Sequence, residues 1–147
     1  MRGPTRTLVS TGLVLALLGA AAPAVADHRP GPCALDRKEG EGIRNYAKRL
    51  IRCATDEWPV RGGAERAICI ADAESHLNPK AKARSAEGTY LGLFQHSADA
   101  WPDRYRAWTK RRWELDDRAL NGRTNAIVTI RMVSVNGWGP WRGVGDC

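Results

Sequence analysis

The sequence has no ready metal hook: no two of its four cysteines stand at C-x-x-C spacing, and the three histidines, His28, His76 and His96, are scattered. A domain built around zinc is therefore disfavoured, and no metal and no other cofactor is expected. Internal repeats, low-complexity tracts and a compositional break are also absent, which argues against repeat architectures and leaves one domain. Long apolar runs are scarce. The longest, "LVSTGLVLALLGAAA" over residues 8–22, falls short of the roughly 20 residues that span a bilayer.

Its setting gives that run another meaning. Arg2 and Arg6 precede it, and the small-residue "AVA" stands before Asp27, the pattern of a cleaved signal peptide over residues 1–26. Residues 27–147 then form the exported domain, long enough for a modest core and with no membrane anchor left after cleavage. In an exported chain an even number of cysteines suggests disulfides. Cys53 and Cys69 lie near the facing ends of two adjacent expected helices, so Cys53–Cys69 and Cys33–Cys147 are the favoured pairs among three possible connectivities.

Losing Arg2 and Arg6 lowers the formal charge from +7 to +5. A basic surface draws anionic partners, and for an exported protein the polymers of a bacterial cell wall are a better match than nucleic acid. The cluster "TKRRW", Thr109 to Trp113, fits either a wall-binding patch or a solvated face.

Residues 27–42, with Pro30, Pro32, Gly31, Gly40 and Gly42, read as an irregular lead pinned by Cys33. Ile43, Tyr46, Ala47, Leu50, Ile51 and Ala54 then line one face of a helix, with Arg44, Lys48, Arg49 and Arg52 opposite. After the break at "DEWPVRGG", a second helix runs from about Ala64 to Ser75 or His76 with a nearly all-apolar body. Asn78-Pro79 stops it, because the residue before proline is pushed out of the helical region. From Lys80 to Gln95 the small residues, the Gly88 turn and "YLGLF" suit an extended or hairpin segment. Ser97 is a candidate cap for a short helix that Pro102 interrupts or restarts. "DRYRAWTKRRWELDDRALNGR" reads as a polar surface excursion. "NAIVTIRMVSV" fits both a strand and a helical stripe.

Glu74 sits in the last turn of the second expected helix. Burial raises a carboxyl pKa, and the negative end of a helix pushes the same way. A carboxylic acid kept protonated toward neutral pH can give its proton to a leaving oxygen, the acid step of glycosidic cleavage. Glycosidases usually need a second carboxylate. Asp72, Glu87, Asp99 and Asp103 are the candidates, and none is strongly marked.

A mechanism with one acid is what the next resemblance implies. Glu74-Ser75, Asn78-Pro79-x-Ala81, Ser85 and Gly92-Leu93-Phe94-Gln95 together resemble the "ES…NP.A.S…G..GL.Q" signature of the lysozyme-like lytic transglycosylases, the soluble lytic transglycosylase domain group. The likeness runs from about Ile43 to Trp141. It implies a mainly α, lysozyme-like α+β domain with a small extended segment beside an active-site cleft, to which the cysteine count adds two disulfides. It also implies a helix at "NAIVTIRMVSV" and Glu74 as sole acid and base on peptidoglycan. Ser75, Gln95, Phe94, Asn136 and Trp138 become the candidate substrate contacts. Trp101, Trp138 and Trp141 are placed to stack on sugars or to pack the core, while His76 and His96 flank the motifs as tuning or structural residues.

One departure stands out. The family's third motif, Tyr-Asn-Ala-Gly, corresponds here to Ser134-Val135-Asn136-Gly137, with Val135 in the tyrosine's place; the following "GWGPW" is similar to the tail of small secreted members. The expected protein is a secreted, monomeric lytic transglycosylase. A hydrolytic muramidase and a peptidoglycan-binding protein without activity are the alternatives. A toxin or inhibitor on a disulfide scaffold accounts for the cysteines but not for the motif.

Overall fold

A computed structural model describes residues 31–147; the expected signal peptide lies outside them. Four helices, α1 (Ile43–Glu57), α2 (Gly63–Ser75), α3 (Trp101–Trp108) and α4 (Gly122–Asn136), surround a core joined to one small sheet of β1 (Lys82–Ser85), β2 (Gly88–Leu91) and β3 (His96–Ser97). The sheet is antiparallel in the order β1-β2-β3, with Ala83 opposite Tyr90 and Tyr90 opposite Ser97. Among the described residues no helix is long and apolar enough to cross a membrane.

The first two helices follow their periodicity. Ala47, Leu50, Ile51 and Ala54 turn the apolar stripe of α1 into the core, and Ala67, Ile68, Ile70 and Ala71 do the same for α2. Arg44 fastens the pair: it reaches from α1 to the Asp72 carboxylate at 3.0 Å and to the His76 carbonyl at 2.9 Å, at the C-terminal end of α2. There His76 and Leu77 both take left-handed backbone angles, φ 53° and 58°, and the wholly buried Leu77 folds the chain back toward the core. The stop comes where Asn78-Pro79 predicts it.

Helix α4 packs against α1 and also against α3. Its residues Thr124 to Ile130 are all buried, as are Met132 and Val133. A helix covered on every side carries no polar stripe, which is why its residues showed no decisive period. Asn121 caps it, its side chain accepting from the Thr124 amide at 3.1 Å.

Three expectations change. Tyr90 and Leu91 are in β2, but Leu93 and Phe94 fall in the tight turn 92–95 and are wholly buried. Ser97 belongs to β3 and caps nothing; α3 begins at Trp101 after Ala100, with Pro102 in its first turn, where the missing N–H is harmless. The stretch expected as a polar excursion contains most of α3, from Asp103 onward, and its tryptophans are anchored. Arg131 of α4 lies 5.4 Å from the Trp58 ring and 4.9 Å from that of Trp113, and it donates to the Trp108 carbonyl.

The cysteine pairing is the clearest correction. All four are oxidised, but as Cys33–Cys53 and Cys69–Cys147. On a helix turning about 100° per residue, Cys69 projects opposite the Ala67–Ala71 face that packs inward, so it points away from Cys53. It meets instead the C-terminal tail, which crosses the outer side of α2: Trp138 donates to the Arg61 carbonyl at 2.9 Å, and Arg66 lies 5.8 Å from its ring.

Candidate active-site groove

Glu74, in the last turn of α2, lines an open groove of about 380 Å³. The sheet supplies one wall through Ala83, Tyr90 and Ser97, and Gln95 closes it from the turn between β2 and β3. Arg104 of α3 stands on another side, with Pro140 and Trp141 of the C-terminal tail completing the rim.

The Glu74 carboxyl is half-buried, and no hydrogen bond or ion pair engages it among the described residues. Desolvation raises its pKa above the ordinary glutamate value, with no compensating cation. Its proton is thus held toward higher pH and is not committed to any neighbouring acceptor.

None of the four candidate second carboxylates lines the groove with it. Asp72 is held by Arg44, Asp103 pairs with Arg106, Asp99 is exposed, and Glu87 accepts from Ser85 at the exposed hairpin tip. Among the described residues no cluster of three His, Cys, Asp or Glu gathers that could hold a metal ion.

The turn that carries Gln95 is fixed by one buried residue that sequence reasoning passed over. Asn125, wholly enclosed on α4, accepts from the Phe94 amide at 3.1 Å and donates to the Ala119 carbonyl at 2.9 Å. Gly92 has φ +79°, and a Cβ there would lie 2.3 Å from both the Ala119 carbonyl and the Asn125 amide, so only glycine fits. Gln95 follows at φ +47°, its side chain donating to the Gly92 carbonyl at 2.8 Å. The "GLFQ" segment is a braced turn that presents the Gln95 carboxamide to the groove.

The other expected contacts separate. Ser75 is buried, its hydroxyl 2.9 Å from the Ala71 carbonyl and 2.8 Å from that of Leu93; it ties α2 to the turn and does not line the groove. Phe94 is wholly buried and packs with Trp138 and Trp141, so its role is beneath the groove and not in it. Trp138 is likewise a core residue. Asn136 is exposed at the end of α4, outside the groove lining, and Val135 beside it is 71% exposed. The phenol of the groove comes from Tyr90 instead. Of the three tryptophans considered, Trp141 alone reaches the lining, held by its indole N–H donating to the Phe94 carbonyl at 3.0 Å.

Tyr90, Ser97 and Arg104 gave no advance signal, because each is an ordinary residue in a short or polar segment until the sheet and α3 bring them together. His96, by contrast, is structural. It is wholly buried, with Nδ1 2.6 Å from an Arg104 nitrogen and Nε2 2.7 Å from Thr129 Oγ1. Arginine can only donate, so Nδ1 accepts and the ring proton sits on Nε2, donating to Thr129. Thr129 in turn donates to the Asn125 carbonyl at 2.7 Å.

Burial, with Arg104 adding to it, pushes the His96 pKa down to about 3. The unfolded chain therefore binds a proton that the folded chain refuses between about pH 6.5 and 3, and stability falls as pH drops through that window. Urea unfolding at about pH 7 and about pH 4.5 is expected to show a wild-type loss some 2 kcal/mol larger than that of His96→Gln; equal losses would remove His96 as the cause.

No protein-family model, characterised protein or solved structure matches the chain.

Proposed function

We propose that this protein is a secreted peptidoglycan-cleaving glycosidase with a lysozyme-like fold, a lytic transglycosylase that works with a single glutamate. The observation that carries the reading is Glu74: an unengaged, partly desolvated carboxyl, and among the described residues the one acidic side chain lining a groove open enough for a glycan strand. Two disulfides and the signal-peptide pattern at the N-terminus agree with an exported protein.

In this reading Glu74 donates its proton to the oxygen between N-acetylmuramic acid and N-acetylglucosamine as the bond to C1 of the muramyl sugar breaks. The neighbouring acetamide of the substrate stabilises the cationic C1, which replaces a second protein carboxylate. The Glu74 carboxylate then takes the proton of the muramyl C6 hydroxyl while that oxygen bonds to C1 and closes a 1,6-anhydro ring. No water enters the products, and Glu74 ends protonated as it began. Intramolecular attack supplies the nucleophile already positioned. Gln95 and Tyr90 offer hydrogen-bonding groups to the sugar, and Trp141 an apolar rim for its C–H face.

Mass analysis of muropeptides released from purified wall tests the assignment. Anhydro-ended fragments are expected. Reducing ends alone would make the protein a hydrolytic muramidase, and no release at any pH, with binding retained, would leave a peptidoglycan-binding protein.

A further inference from the structure

Among the described residues the groove is lined by one cation as well as one acid. Arg104 lines it from α3, and one guanidinium nitrogen is fixed at 2.6 Å on His96 Nδ1. His96 is wholly buried and is itself tied to Thr129 and through it to the backbone of α4, so this arm of Arg104 is anchored to the core. A guanidinium carries five N–H donors in a planar fork, and the anchor uses one. The remaining donors meet no acceptor among the described residues, and no ion pair joins Arg104 to Glu74 although both line the same groove. A half-buried cation, oriented by a core contact and left without a counter-ion, is arranged to receive an anion from outside.

We infer that Arg104 forms a carboxylate-binding subsite of the groove, which selects muramyl units that carry a negative charge over neutral amino-sugar polymers. The inference rests on the glycan-cleaving reading of the same groove and adds to it the chemical class of group recognised beside the scissile bond. Two sources of that carboxylate exist on a wall strand: the free lactyl acid of a muramyl unit whose peptide has been removed, and a carboxylate of the attached stem peptide. The planar fork suits two parallel hydrogen bonds to either one, whereas an uncharged N-acetylglucosamine polymer leaves the guanidinium unpaired. Such a subsite would also set register: with the anion on Arg104, the strand lies across the groove in one direction relative to Glu74.

Binding to the full secreted chain, measured by calorimetry in the Glu74→Gln background so that no ligand is consumed, tests the inference. The probes are chitotetraose, a peptide-free muramyl tetrasaccharide with free lactyl acids, the same sugar with lactyl amides, and its pentapeptide form. A carboxylate-bearing probe is expected to bind about tenfold tighter than the amide. Preference for the free lactyl acid assigns the first source, and preference for the pentapeptide form alone assigns the second. Arg104→Gln is expected to collapse the ratio toward unity, and Arg104→Lys to keep part of it through charge alone. The wild-type fork is judged by the comparison of acid and amide even where an Arg104 variant misfolds. Equal binding of all three muramyl probes, with wall cleavage by the wild type intact, overturns this inference alone. No binding of any sugar, together with no wall cleavage, overturns the glycosidase reading and this one with it.

Discussion

Glu74→Gln is expected to lower wall-clearing activity by about 10³-fold or more, because it removes the carboxylic acid that the proposed mechanism relies on while keeping the side chain's size. The same substitution is expected to leave the fold intact and to raise its unfolding midpoint slightly at neutral pH. A half-buried carboxyl without a partner is a stability cost that a neutral amide of the same shape avoids. Activity and stability should thus move in opposite directions. The alkaline limb of the wild-type rate profile should also lie above the ordinary glutamate range, since desolvation holds the acid form to higher pH and the proposed mechanism needs that form to protonate the leaving oxygen. Turbidity assays and urea unfolding on the two proteins read all three effects; a Gln variant that clears wall at the wild-type rate would remove Glu74 from the chemistry.

The second large effect concerns the tail. Cys69–Cys147 closes a separation of 78 residues and Cys33–Cys53 one of 20. On chain entropy alone the first is worth about 4.5 kcal/mol and the second about 3.3 kcal/mol. Replacing Cys69 and Cys147 together with serine is expected to cost more stability than replacing Cys33 and Cys53. It is also expected to weaken wall cleavage further than the loss of stability explains, because the released tail carries Pro140 and Trp141, the rim of the groove. Peptide mapping without reduction provides the direct check: a Cys53–Cys69 fragment would contradict the pairing, and equal losses in the two double variants would contradict the ranking.

The tail also shows why the tryptophans were hard to read. Trp138 and Trp141 are neighbours in one short motif, yet the first is sealed against the Arg61 carbonyl and the second reaches the groove. Both are buried large aromatics with a bonded indole N–H, and nothing local distinguishes them. The same holds for Ser75 and Gln95. Each was an expected sugar contact, and the packing of turn 92–95 against α2 and α4 sends one inward and the other out.

The sequence by itself determined the helical stripes of α1 and α2, the stop at Asn78-Pro79 and the position of Glu74 in a last helical turn, because each is a matter of spacing along a few neighbouring residues. The hairpin after Lys80 and the oxidised state of the cysteines were also legible, the one from local turn chemistry and the other from an even count of cysteines. Tertiary structure alone decided which cysteines pair, that α4 is buried on every side, and that Tyr90, Ser97, Arg104 and Trp141 share one groove with Glu74. Those outcomes depend on how faces from distant segments meet, and a residue's own neighbours carry no record of the surface it will be folded against.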